Sequence, residues 1–173
     1  MITKKKLLDA LSKVGNLEGE TLFIQSNLSK FGKVEGCFKK KDILDFYFNC
    51  IMEAIGKKGT LLVLTSFEDY ARHGNAFDKL STKSMSGSFS EYIRTKEGSF
   101  RSIHPVLSVS GIGFKAKEIC EGNHFDGFGY DSPWGRMHRA NALILSMGYS
   151  LEPDGMTFLH YIENLYGVPY QYN

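Results

Sequence analysis

Thr21-Leu22-Phe23-Ile24-Gln25-Ser26, then Lys39 to Gly56, then Gly59-Thr60-Leu61-Leu62-Val63-Leu64 is the stretch that decides the fold. The first run is apolar on successive residues, with β-branched and aromatic side chains. It predicts a short strand buried on both faces. It ends in polar residues, Gln25, Ser26 and Asn27. Between Lys39 and Gly56 the apolar residues Ile43, Leu44, Phe46, Tyr47, Cys50, Ile51, Ala54 and Ile55 recur at helical spacing, and Gly56 closes the helix. Thr60 to Leu64 is a second buried strand, again ending in polar residues, Thr65 and Ser66. Strand, long helix, strand is a βαβ unit, so the two strands are expected to run parallel.

The rest of the chain extends this pattern. Leu7, Leu8, Leu11 and Val14 mark a first helix closed by Gly15. Lys30 to Cys37 reads as a loop. Residues 68–87 are polar with little periodicity, a long connection of the kind that serves function more often than packing. A short helix over Phe89–Arg94, a loop from Gly98 to Pro105, a third strand over Val106–Gly111 and a helix over Phe114–Cys120 follow. Ser132-Pro133 is a strong helix start, with Ser as cap and Pro in the first position. Ala142 to Gly148 is a fourth buried strand. The expectation is an α/β three-layer sandwich with a mainly parallel central sheet, and ligands binding beyond the carboxyl ends of the strands.

The loops at those ends carry the chemistry-bearing residues. Asp154-Gly155-Met156-Thr157-Phe158-Leu159-His160-Tyr161-Ile162-Glu163 reads as a turn leading into a helix. Thr157 is a good N-cap residue, which puts His160 in the first turn and Glu163 on the same face. An imidazole beside a carboxylate is the usual make-up of a general base. The plainer alternative is a histidine hydrogen-bonded to a helix-surface glutamate.

Composition narrows the classes. The 173 residues, 42 % apolar and 23 % charged, suit one globular domain with a sizeable core. A net charge of +2 argues neither for nucleic acid nor for an anionic membrane as main partner, and neither is expected. Cys37, Cys50 and Cys120 lack metal-like spacing and read as reduced thiols of a cytoplasmic protein. Nothing resembles a signal peptide or a membrane span. A metal site drawn from His104, His124, Asp126, His138, His160 and Glu163 has no motif behind it beyond the HxD look of His124-Phe125-Asp126. Val109-Ser110-Gly111-Ile112-Gly113 is neither a nucleophile elbow nor a dinucleotide fingerprint. Lys39-Lys40-Lys41 reads as a solvated face.

Five segments in order carry a family resemblance. Thr21 to Gly32 resembles "TLxVHSSLSxFG", Gly59 to Phe67 "GTLVMPTF", Arg101 to Ser108 "RSxHPxxS", Phe128 to Pro133 "YGxxSP" and Thr157 to Glu163 "TxLHxxE" of the aminoglycoside 3-N-acetyltransferases. The resemblance implies a coenzyme A-dependent N-acetyltransferase, of a fold distinct from the GNAT enzymes. It would transfer acetyl from acetyl-CoA to an amine of an aminosugar, either an aminoglycoside or a polysaccharide precursor. It implies His160 as base, Glu163 orienting it or helping to hold the acceptor, and Thr157 and Ser26 at the thioester end. Asn27, Leu28, Lys30, Thr65, Arg101, Ser102 and His104 would form the cofactor side. Asp69, Asp131 and Asp154 would attract a cationic acceptor. Gln25, Asn27 and Leu64 depart from the family pattern. Members usually continue for several dozen residues past the position of Asn173, so the chain is expected to be a single domain, 1–173, lacking that C-terminal part. A non-catalytic CoA or nucleotide-sugar binding module is the alternative, and a homo-oligomer fits either reading.

Overall fold

A computed structural model describes residues 1–122, 125–149 and 156–170. The βαβ unit is present as expected. Strand β1 (Thr21–Ser26) and strand β2 (Thr60–Leu64) pair in parallel, with Thr21 opposite Thr60, and helix α2 (Lys40–Ile55) connects them. Leu44, Tyr47, Ile51 and Ile55 form the buried stripe of α2. Gly56 ends it at φ 64°, a backbone angle that favours glycine, and its N–H bonds the Met52 carbonyl.

The sheet has five strands in the order β3-β4-β2-β1-β5, where β3 is Phe100–Arg101, β4 Val109–Gly113 and β5 Leu143–Met147. Alternate side chains of β1 feed two separate cores. Leu22 and Ile24 join helices α1 (Lys4–Ser12), α2 and α4 (Ser88–Arg94) on one face. Phe23 joins α5 (Ala116–Cys120), α6 (Pro133–Arg139) and α7 (Thr157–Tyr166) on the other. This is the three-layer sandwich, and its two cores explain why β1 and β2 show unbroken apolar runs.

Five readings are corrected in detail. The strand placed at 106–111 runs from Val109 to Gly113 and is antiparallel to β2 and to β3. The sheet is therefore parallel across β2-β1-β5 and antiparallel at its other side. The strand expected to be buried at 142–148 is an edge strand paired to β1 alone, with Leu143 exposed. Residues 68–87 include a short helix, α3 (Asp69–His73), and the loop from Lys30 begins inside a 3-10 turn, Leu28–Phe31. Thr157 is the first residue of α7 rather than its cap; Met156 holds the cap position without a side-chain bond. His160 accordingly sits one position further along than the sequence placed it.

Ser132 does cap α6, accepting from the Gly135 N–H at 3.2 Å. The cysteines are free. No helix among the described residues is long and apolar enough to cross a membrane.

Candidate active site

A cleft of about 580 Å³ opens at the carboxyl ends of β1 and β2. One wall is the end of β1 running into the 3-10 turn, Gln25 to Ser29. The opposite wall is Met85 to Ser90, which leads into α4. Leu64 and Ser66 line it at the end of β2, and Tyr149 and Thr157 contribute from the side of β5 and α7. The cleft lies where the strand-end rule puts a crevice, and Ser26, Asn27, Leu28 and Thr157 are among its lining residues.

His160 lies one helical turn beyond Thr157, on the same side of α7. It is not part of the cleft lining. Its side chain is 64 % exposed, and Nδ1 lies 2.9 Å from the Glu163 Oε2. A carboxylate on Nδ1 fixes the ring and favours the proton on that nitrogen, which leaves the Nε2 lone pair for a reacting group. Glu163 is also 3.5 Å from the Tyr170 hydroxyl.

The cofactor-side residues of the RSxHPxxS segment are scaffold, not lining. Arg101 is 4 % exposed. Its Nη2 donates to the Thr65 carbonyl at 2.6 Å, and Nη1 to the carbonyls of Thr82 at 2.6 Å and Lys79 at 3.3 Å. Burial pushes the guanidinium down to about 10, and Arg94 adds to the effect. All its reach is spent inside the protein rather than on the cofactor side that the resemblance implies. Ser102 is fully buried and accepts from the Val109 N–H at 2.9 Å. His104 accepts from the Leu107 N–H through Nδ1 at 3.0 Å, closing the turn at Pro105. Burial lowers its pKa, against an opposing pull from Asp126. Thr65 is buried as well, with its hydroxyl among Ser108 and Ser110, 3.0 Å from the latter's oxygen.

The acidic residues fare differently from expectation. Asp69 begins α3 outside the lining, and Asp131 pairs with Arg139 at 3.5 Å. Asp154, like His124, lies outside the described residues. Glu68 is the single charged residue of the described lining, a position the sequence reading passed over for its neighbour Asp69. Lys30 follows the lining residue Ser29 but is not itself in the wall. The reading also missed Ser86, Ser88 and Ser90. Their signal was the alternation of small hydroxyl residues from Ser84 to Ser90, too polar for a core and too regular for filler. Among the described residues no three His, Cys, Asp or Glu side chains converge on a point where a metal ion could sit.

A family model described as aminoglycoside 3-N-acetyltransferase matches residues 23–173. The chain belongs to this family. Aminoglycoside N(3)-acetyltransferase VII of Streptomyces paromomycinus is 25 % identical over 97 % of this chain and 62 % of its own length. Among solved structures, AAC-IIIb in a binary complex with CoASH superposes with a TM-score of 0.81 at 24 % identity, covering 95 % of this chain and 65 % of that one. AAC-VIa bound to sisomicin gives a TM-score of 0.79 at 26 % identity, covering 94 % and 64 %. The chain spans about three fifths of the length of the curated relatives it matches.

Proposed function

We propose that this member of the family is an N-acetyltransferase that moves acetyl from acetyl-CoA to an amine of an aminosugar. The observation that carries the proposal is the joining of Thr157 to the cleft and, one turn on, of His160 to Glu163. Family membership, and relatives whose structures hold CoASH or sisomicin, support it.

The cleft suits the pantetheine arm of the co-substrate. Its hydroxyls and the Gln25 and Asn27 amides can meet the arm's amide groups, while Ile24, Leu28, Leu44 and Phe89 offer an apolar surface to its methylenes. No Lys or Arg stands in the described lining, so the phosphates fall to residues outside it, Lys30 beside the lining residue Ser29 foremost. Acetyl-CoA supplies an electrophilic thioester carbonyl. His160 takes the proton from the acceptor ammonium, which otherwise has no lone pair with which to attack. Glu163 holds the ring oriented while it does so. The amine then forms the N–C bond, the C–S bond breaks, the imidazolium returns its proton to the leaving CoA thiolate, and the nitrogen loses its second proton to solvent. The Thr157 hydroxyl donates to the carbonyl oxygen as it gains charge, a role supported by its position in the cleft lining. Glu68 gives a cationic acceptor its electrostatic anchor. The reading places the enzyme in the cytoplasm, in keeping with three free cysteines.

The test is incubation with acetyl-CoA and a panel of aminosugars, with detection of free thiol. Acceptor-dependent release is the expected result. The exposure of His160 outside the lining favours a second reading, a binding module without turnover. Tight CoA binding by calorimetry with no thiol release from any acceptor would establish that reading instead.

A further inference from the structure

The cleft wall at residues 84–87 rests on neither a strand nor a long helix, yet it carries Ser86, which faces Ser66 across the end of β2. The Ser86 hydroxyl accepts from the Ser66 N–H at 2.8 Å and lies 2.7 Å from the Ser66 hydroxyl. The Met85 N–H bonds the Ser66 carbonyl at 2.8 Å. The segment upstream of this contact is tied to β2 by Arg101. One arm of its fork holds the Thr65 carbonyl, next to Ser66; the other holds the carbonyls of Lys79 and Thr82 in the segment that leads to Ser86. Asp78 shapes that segment, accepting from the Leu80 and Ser81 N–H groups at 3.1 and 2.6 Å. Arg94 holds it from the outside through the Leu80 carbonyl at 2.5 Å. The Ser84 N–H bonds Glu91 at 2.8 Å.

Among the described residues none of the hydrogen-bond partners of Arg101 is a carboxylate; Glu91 and Asp78 act on it through space without bonding it. A guanidinium buried on carbonyls and one serine hydroxyl is a costly way to fill space, and an apolar side chain of similar size would brace the core at lower cost. What an apolar residue lacks is a planar fork that fixes two backbone segments at once. We propose that Arg101 is a positioning residue, which sets the 78–87 wall against β2 and thereby holds the Ser66–Ser86 pair where acetyl-CoA enters. The proposal rests on reading the cleft as the acetyl-CoA site.

Two variants test it. Arg101→Lys keeps the charge and loses the fork. Asp78→Ala loosens the same segment from its exposed side and leaves the core untouched. The readouts are amide hydrogen exchange, segment by segment, and steady-state kinetics. In both variants the amides of residues 80–86 are expected to exchange at least tenfold faster, with those of β1 and β2 unchanged. The KM for acetyl-CoA should rise at least fivefold with kcat within twofold of the parent. Unchanged exchange at 80–86, or exchange that rises equally throughout the sheet, would overturn the proposal. If Arg101→Lys does not fold, Asp78→Ala decides alone by the same criteria. Absence of thiol release in the parent protein defeats the acyltransfer reading instead. The exchange data, with the CoA affinity of each variant by calorimetry, then still decide the tether.

Discussion

His160 and Glu163 form a pair that the sequence foretold from spacing alone, because residues three apart on a helix are neighbours whatever the rest of the fold does. Glu163→Gln keeps an oxygen for the Nδ1 proton and removes the charge. Its kcat should fall, by less than the roughly two to four orders of magnitude that a lost general base costs, and a full steady-state comparison checks the ranking. Thr65 shows what spacing could not reveal. A threonine at a strand end looks like a ligand contact; here its hydroxyl is the partner of the fully buried Ser110. Thr65→Val preserves shape and leaves that serine unpaired, so urea unfolding should show a loss of about 1–3 kcal/mol. Arg101 was out of reach for the same reason: the resemblance implied the cofactor side, and only the fold shows the three backbone carbonyls that take up its guanidinium.

Elements with a local cause were the most legible. The βαβ core followed from apolar runs and a terminal glycine, and the α6 start from Ser132-Pro133. Removing that cap with Ser132→Ala should cost about 1 kcal/mol, read as a lower urea midpoint with unchanged slope. Gly148 is a position where backbone approach decides. It has φ +77°, and a Cβ there would collide with the Asn27 carbonyl oxygen. Gly148→Ala should therefore destabilise β5 against the cleft wall at Asn27 and raise the KM for acetyl-CoA, both measurable on the purified variant. The antiparallel sense of β4 was not legible, since alternation of apolar and small residues is the same in either direction. The edge position of β5 was hidden for a related reason: an apolar run specifies a strand but not how many neighbours it has.

At the scale of the whole molecule, stability should respond to acid through His104. Burial lowers its folded pKa below the ordinary value of 6.5. The unfolded chain therefore binds the proton more readily, and stability falls as pH drops through and below that value. Thermal unfolding from pH 7 to pH 5 should show a declining Tm, and His104→Asn should flatten the decline. The cleft, too, belongs to the whole chain. Its walls come from residues 24–29, 44, 64, 66, 68, 85–90, 149 and 157, and only the strand-end rule joined the strand ends beforehand. The central claim is that His160 accepts the acceptor's proton during acetyl transfer, and one comparison tests it most directly. Acceptor-dependent thiol release from acetyl-CoA is measured for the parent protein and for His160→Ala, alongside the Tm of each. The account predicts at least a hundredfold lower rate for the variant with an unchanged Tm, because the ring is exposed and carries no core packing. A variant that releases thiol as fast as the parent would contradict it.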